Sequence, residues 1–134
     1  NVTAMFNQCK ELKYLDLSSL DTLNAHNMGF MFSKCYQLKE IKGINKFDTT
    51  KILNMNSMFN ECKELEYLDL SNFNTSNVLD MQNMFNDCHK LKEIKGLNKF
   101  ITDKVENMSG MFQYCKGLEY LDLTNFNILN VTNI

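Results

Sequence analysis

Five cysteines recur at a nearly constant interval along the 134-residue chain. The intervals between them are 26, 27, 26 and 27 residues, and a Met-Phe pair precedes each cysteine at the same distance. A fixed period between about 20 and 50 residues is typical of solenoids and other repeat arrays. The sequence therefore predicts five repeats, which begin near Cys9, Cys35, Cys62, Cys88 and Cys115.

The repeats are of two alternating types. The shorter type reads CKELEYLDLSNFNT from Cys62, and similar strings begin at Cys9 and Cys115. The longer type reads CYQLKEIKGINKFDT from Cys35 and CHKLKEIKGLNKFIT from Cys88, with one extra residue before the phenylalanine. The larger unit is thus a 53-residue double repeat. We expect one repeat domain over residues 1–134, as a piece of a longer array.

The apolar pattern changes its period within each repeat. Apolar residues first recur in steps of three, which predicts one face of a short helix over Val78, Met81, Met84, Phe85, Cys88 and Leu91. The spacing then tightens to LxxLxL, which predicts a short strand with Leu65, Leu68 and Leu70 pointing inward. A single repeat is too small to bury a core alone, so stacked repeats would have to share one.

The string VxxMxxMFxxCxxLxxLDLSxFxT resembles the repeats of the BspA-like leucine-rich-repeat proteins, a group of microbial surface proteins and lipoproteins. The long repeats depart from that pattern, because Lys95-Gly96 replaces the Asp-Leu of the strand. The resemblance implies a right-handed α/β solenoid of about five coils, with a parallel sheet on one face and short helices on the other. It also implies a non-enzymatic module at the cell surface or secreted, which binds protein partners in recognition or adhesion.

Placing the repeats on such a sheet predicts which side chains face outward. With Leu15, Leu68 and Leu121 inward, the residues on either side of each leucine face away from the core. One outward column reads Asp16, Lys42, Asp69, Lys95 and Asp122, and the next reads Tyr14, Glu40, Tyr67, Glu93 and Tyr120. Opposite charges on neighbouring strands stabilise a sheet by roughly 0.2–1 kcal/mol, so the alternation has a structural explanation. The functional alternative is that these ten residues contact a partner, since tyrosine is enriched at protein interfaces.

The sequence is compatible with two kinds of partner. The strand residues could bind another protein, or the repeats could stack end to end with copies of the chain in a fibre, sheath or shell. A net charge of −2 with scattered signs gives no electrostatic reason to expect nucleic acid. No apolar run approaches the roughly 18 residues of a membrane span, so we expect no membrane insertion by this segment.

The cysteines and histidines do not form a pattern typical of a metal site or a catalytic site. Metal sites need close cysteine pairs or Cys/His clusters, and only Cys88-His89 places the two residue types together. His26 and His89 do not recur with the repeat, which argues against a Cys–His nucleophile. We therefore expect no enzyme activity, no cofactor and no disulfide, with the five cysteines packed as a ladder of buried thiols.

Overall fold

The computed structural model describes residues 2–133 and contains four strands of three residues each. The strand β1 (Tyr14–Asp16) pairs in parallel with β2 (Glu40–Lys42), and β3 (Tyr67–Asp69) pairs in parallel with β4 (Glu93–Lys95). Each long repeat continues from its strand through a left-handed glycine into a short 3-10 helix, at Ile44–Lys46 and Leu97–Lys99. The strands of a short repeat and of the following long repeat therefore form one two-stranded sheet.

Successive repeats are joined by backbone hydrogen bonds between equivalent positions. Phe6, Phe32, Phe59 and Phe85 each donate their backbone N–H to a methionine carbonyl in the following repeat, at 2.9 Å. Parallel bridges join a second set of equivalent positions in chain order, namely Asn27, Asn54, Asp80, Asn107 and Asn133. Each repeat therefore lies directly against the next one along the chain.

The predicted helices are wrong. Over residues 2–133 the structure has no α-helix, and the Met-Phe segments consist of consecutive turns. Hydrogen bonds between residues three apart, such as Met58 N–H to the Met55 carbonyl, bring every third side chain inward. Residues in the left-handed region, including Ser57 and Glu61 at φ of 53° and 60°, interrupt any continuous helix. Apolar residues three positions apart fit both consecutive turns and a helix. The sequence pattern therefore does not distinguish the two structures.

The Met-Phe stripe forms the core, as the sequence predicts. Met55, Met58 and Phe59 have no exposed surface, and the equivalent residues of the neighbouring repeats are also buried. One ring from every repeat joins a stack over Phe6, Phe32, Phe59, Phe85 and Phe112, with ring centroids 5.5–5.7 Å apart. The inward leucines of the third repeat, Leu65, Leu68 and Leu70, are buried as expected.

The strand predicted in the fifth repeat, at Tyr120–Asp122, is not formed, and within residues 2–133 no ladder joins β2 to β3. Both interruptions fall where a long repeat precedes a short one. In each long repeat the chain leaves the strand through Gly43 or Gly96, at φ of 84° and 87°. Each interruption therefore coincides with the repeat type in which this turn and the 3-10 helix after it carry the extra residue.

Candidate binding surface on the strand face

The outward side chains of β1–β4 and of Tyr120–Asp122 form one surface, here called the strand face. The strand register matches the prediction, because Tyr14 lies opposite Glu40 and Asp16 opposite Lys42. The same register holds in the second sheet, where Tyr67 faces Glu93 and Asp69 faces Lys95. The structure thus brings eight of the ten predicted site residues together in two equivalent groups of four.

The three tyrosines of the strand face are its most exposed aromatic side chains. Tyr14, Tyr67 and Tyr120 are 63%, 47% and 78% exposed, and none of their hydroxyl groups bonds within the described part of the chain. Glu40 and Glu93, which alternate with them, likewise make no ion pair over residues 2–133. The column of alternating tyrosines and glutamates therefore exposes unpaired hydrogen-bonding groups and apolar ring surface that an external molecule could contact.

In the column that begins at Asp16, most of the aspartates and lysines pair with each other within the protein. The Lys42 Nζ atom lies 3.2 Å from Asp16 Oδ2, and Lys95 Nζ lies 3.5 Å from Asp69 Oδ2. Hydrogen bonds from Ser18 and the nearby Lys42 lower the pKa of Asp16 from its ordinary 3.8 to about 2. The hydroxyl of Ser71 and the ammonium of Lys95 similarly lower the pKa of Asp69. These carboxylates are already stabilised in the charged form, so they offer little unsatisfied charge to a partner.

The predicted charge column is broken at the fifth repeat. Asp122 has no lysine partner within residues 2–133, and its carboxylate instead accepts a hydrogen bond from the Thr124 N–H at 3.1 Å. Hydrogen bonds from Thr124 lower the pKa of Asp122. A groove of about 470 Å³ separates β4 from Glu119–Asp122, where the prediction placed adjacent strands. The pairing of Lys95 with Asp122 was therefore predicted wrongly.

The cysteines form a ladder of thiols along the stacked repeats. Cys35, Cys62, Cys88 and Cys115 each donate the thiol to a phenylalanine carbonyl of the preceding repeat, at 2.9–3.2 Å. The inner three are buried, whereas Cys9 and Cys115 in the outer repeats are only partly buried. Burial raises the pKa of Cys35 and Cys115 to about 11, and it also raises the pKa of Cys62 and Cys88 well above the ordinary value of a thiol. A thiol that stays protonated is a poor nucleophile, which suits a structural role.

Neither histidine contacts a cysteine side chain. His89 pairs with Asp87, which also lies 3.3 Å from the Lys63 ammonium. His26 Nδ1 lies 3.1 Å from the Asn24 carbonyl. Across residues 2–133, no group of three or more histidine, cysteine and acidic side chains is placed to hold a metal ion. In the same part of the chain, no helix is long and apolar enough to cross a membrane.

A second surface with free polar groups was not predicted from the sequence. A groove of about 450 Å³ crosses the turns that precede the cysteines, and we call it the amide groove. Its amide side chains come from Asn7, Gln8, Asn56, Asn60, Gln82 and Asn83. The signal was present in the sequence, since asparagine is abundant and stands two residues before Cys9, Cys62 and Cys88.

The parallel strands, the repeated backbone ladders and the shared core define a protein built of stacked repeats. The profile of the family described as "Mycoplasma protein of unknown function, DUF285" matches residues 1–95 and, in a second overlapping match, residues 37–134. The chain therefore belongs to this family. Comparison with curated proteins and with solved structures gives no match.

Proposed function

We propose that the chain is a BspA-like leucine-rich-repeat solenoid that binds protein partners through the strand face, without enzyme activity. The LxxLxL strands, their parallel pairing and the 26-residue offset between paired residues support the leucine-rich-repeat assignment. Family resemblance supports a location at the cell surface or outside the cell. The proposed role is recognition or adhesion.

The exposed tyrosine column carries this proposal. Tyr14, Tyr67 and Tyr120 recur at every second repeat and have free hydroxyl groups, as described above. Tyrosine supplies a large apolar area and a hydrogen-bonding hydroxyl, and loses little conformational entropy when it is fixed at an interface. Beside the tyrosine column, the Asp16–Lys42 and Asp69–Lys95 ion pairs join the two strands of each sheet. The column is therefore suited to a partner that presents apolar and hydrogen-bonding groups along the repeat direction.

Protein capture with a triple variant tests this proposal. Wild-type protein and a variant carrying Tyr14→Ala, Tyr67→Ala and Tyr120→Ala would be immobilised and exposed to surface-protein extracts and extracellular host proteins. A captured protein would then be purified, and its affinity measured by surface plasmon resonance. We expect the triple variant to bind it at least about tenfold more weakly, because aromatic anchors contribute much of the binding energy at protein interfaces.

The control is Tyr114→Ala, which removes a tyrosine of similar exposure, 59%, that lies outside the strand face. This variant should bind as the wild type does. Equal binding by the triple variant and the wild type would exclude the strand face as the interface. Thermal unfolding of all three proteins shows whether a loss of binding reflects a loss of the fold.

A further inference from the structure

The amide groove contains side chains that no contact within the protein explains. The amides of Asn7, Asn56 and Asn83 are half-buried and that of Gln8 is exposed, yet none of the four makes a side-chain hydrogen bond to residues 2–133. Each amide offers two donors and a carbonyl acceptor. Four such groups in one concavity form a dense set of unused hydrogen-bonding positions.

Two glycines leave the space in which two of these amides lie. A Cβ atom built on Gly29 would lie 2.3 Å from Asn56 Oδ1, and one built on Gly110 would lie 2.3 Å from Asn83 Oδ1. Any larger residue at either position would push the neighbouring amide out of its place. Both amide groups therefore lie close to the backbone of the adjacent repeat.

Phe30 provides an apolar wall in this polar groove. Its backbone lies in the left-handed region at φ of 58°, which is uncommon for a bulky residue, and its side chain remains 40% exposed. The equivalent positions in other repeats carry Ala4, Ser57, Asn83 and Gly110, so the turn itself does not require an aromatic residue. Neither burial nor backbone preference accounts for a phenylalanine here, because the same left-handed turn forms in the other repeats without one.

The groove is also close to electrically neutral. Its two charged residues, Lys34 and Glu61, have opposite signs, and the Lys34 ammonium lies 3.9 Å from the Glu61 carboxylate. A ligand with a strong net charge would find no excess of the opposite sign. The chemistry of the groove therefore favours an uncharged ligand that is rich in hydrogen-bonding groups and has one apolar face.

We propose that the amide groove binds a neutral oligosaccharide. Sugar hydroxyl groups both donate and accept hydrogen bonds, and an amide can satisfy two neighbouring hydroxyls through its NH₂ and carbonyl groups. The C–H face of a pyranose ring is apolar and packs against an aromatic ring such as that of Phe30. A volume of about 450 Å³ lies within the usual range for small-molecule sites. This site is separate from the strand face and does not depend on the function proposed for it.

Calorimetric titration with defined sugars tests the proposal. Maltotriose, cellotriose, lactose and triacetylchitotriose would each be titrated into the wild-type protein and into two groove variants. Phe30→Ser introduces the residue found at the equivalent position 57, and Asn56→Ala removes a free amide. We expect at least one sugar to bind the wild type, and each variant to weaken that binding about tenfold.

The matched controls lie outside the groove. Tyr114→Ser removes an exposed aromatic ring outside both the groove and the strand face, and Asn45→Ala removes a half-buried amide that also makes no side-chain hydrogen bond within residues 2–133. Both controls should bind the sugar as the wild type does. If Phe30→Ser were to lose the fold, Asn56→Ala would still provide the test, because its removed amide has no partner within residues 2–133.

Three results would overturn the proposal. The first is that none of the four sugars binds the wild type at millimolar concentration. The second is that both folded groove variants bind a sugar with wild-type affinity. The third is that a peptide selected from a display library binds in a manner that depends on Phe30 while no sugar does, which would assign the groove to a protein ligand.

Discussion

Threonine side chains connect each repeat to the next at one buried position. Thr22, Thr49, Thr75 and Thr102 each donate the hydroxyl to a backbone carbonyl of the following repeat, at 2.9–3.0 Å. The same hydroxyl oxygen accepts the backbone N–H of that residue, at 2.7–2.8 Å. One side chain thus satisfies both polar groups of a residue that has no strand partner. In the fifth repeat Ile128 occupies this position, so the described ladder has four such links.

The middle of this ladder yields a prediction for stability. Thr75→Val preserves the shape of a side chain that is only 1% exposed, but it removes both hydrogen bonds to Ile101. The N–H and carbonyl of Ile101 would then lose their partner beside the core. We expect the free energy of unfolding to fall by about 2–3 kcal/mol, as measured by urea denaturation.

Thr50→Val is the control for this substitution. Thr50 is exposed, and within residues 2–133 its hydroxyl bonds only to the side chain of Asp48, two residues away. The unfolding free energy of this variant should stay within about 0.5 kcal/mol of the wild-type value. Equal losses in Thr50→Val and Thr75→Val would show that the link between repeats contributes no special stability.

At the scale of a single residue, the sequence predicted burial better than it predicted hydrogen bonding. The cysteine and Met-Phe positions were identified because apolar residues repeat there with little variation. The threonines recur in four of the five repeats, but threonine is common on surfaces, and nothing in its identity indicates a bond to the next repeat. That bond depends on the stacking distance between repeats, which the three-dimensional arrangement determines.

At the scale of the elements, strand register was predictable and helix content was not. Alternation along a strand has a period of two, so the inward position of Leu68 requires Tyr67 and Asp69 to face outward. The turn segment offered no comparable constraint. Its apolar step of three also suits a helix, and the left-handed residues that exclude a helix, such as Glu61 and Asp87, are not glycines. The backbone conformation of the turn segments therefore could not be predicted from the side-chain pattern.

The left-handed glycine after β4 determines how a long repeat leaves its strand. Gly96 has φ of 87°, and a Cβ built there would lie 2.3 Å from the backbone Cα of Ser71. Gly96→Ala should therefore destabilise the protein by about 2–3 kcal/mol, because both the backbone conformation and the close contact are unfavourable for alanine. Thermal unfolding followed by circular dichroism, combined with urea denaturation, measures the loss.

Gly29→Ala separates this effect from the general cost of adding a methyl group. At Gly29 the nearest atom to a new Cβ belongs to the side chain of Asn56, which can move, and the backbone is not in the left-handed region. The loss of stability should be clearly smaller than for Gly96→Ala. A loss of equal size would contradict the importance of the left-handed turn.

At the scale of the whole molecule, stability depends on contacts between neighbouring repeats. The phenylalanine stack, the thiol ladder and the threonine links each join one repeat to the next, and long-range pairs make up most of the close contacts between residues. In such a protein the folding free energy is approximately a sum of repeat terms and nearest-neighbour interface terms. A central repeat takes part in two interfaces, whereas an outer repeat of the described array takes part in one.

Two substitutions in the phenylalanine stack measure this difference directly. Phe59 is fully buried and stacks on Phe32 and Phe85 at 5.5 and 5.6 Å. Phe112 is partly buried, and among the described residues it stacks on Phe85 alone, at 5.5 Å. We expect Phe59→Ala to lower the unfolding free energy by about 3–5 kcal/mol, as for other buried phenylalanines. Phe112→Ala should cost about half as much, because it removes one ring contact and less buried area. Urea denaturation followed by circular dichroism gives both values, and equal losses would mean that the stability of the stack does not come from contacts between neighbouring repeats.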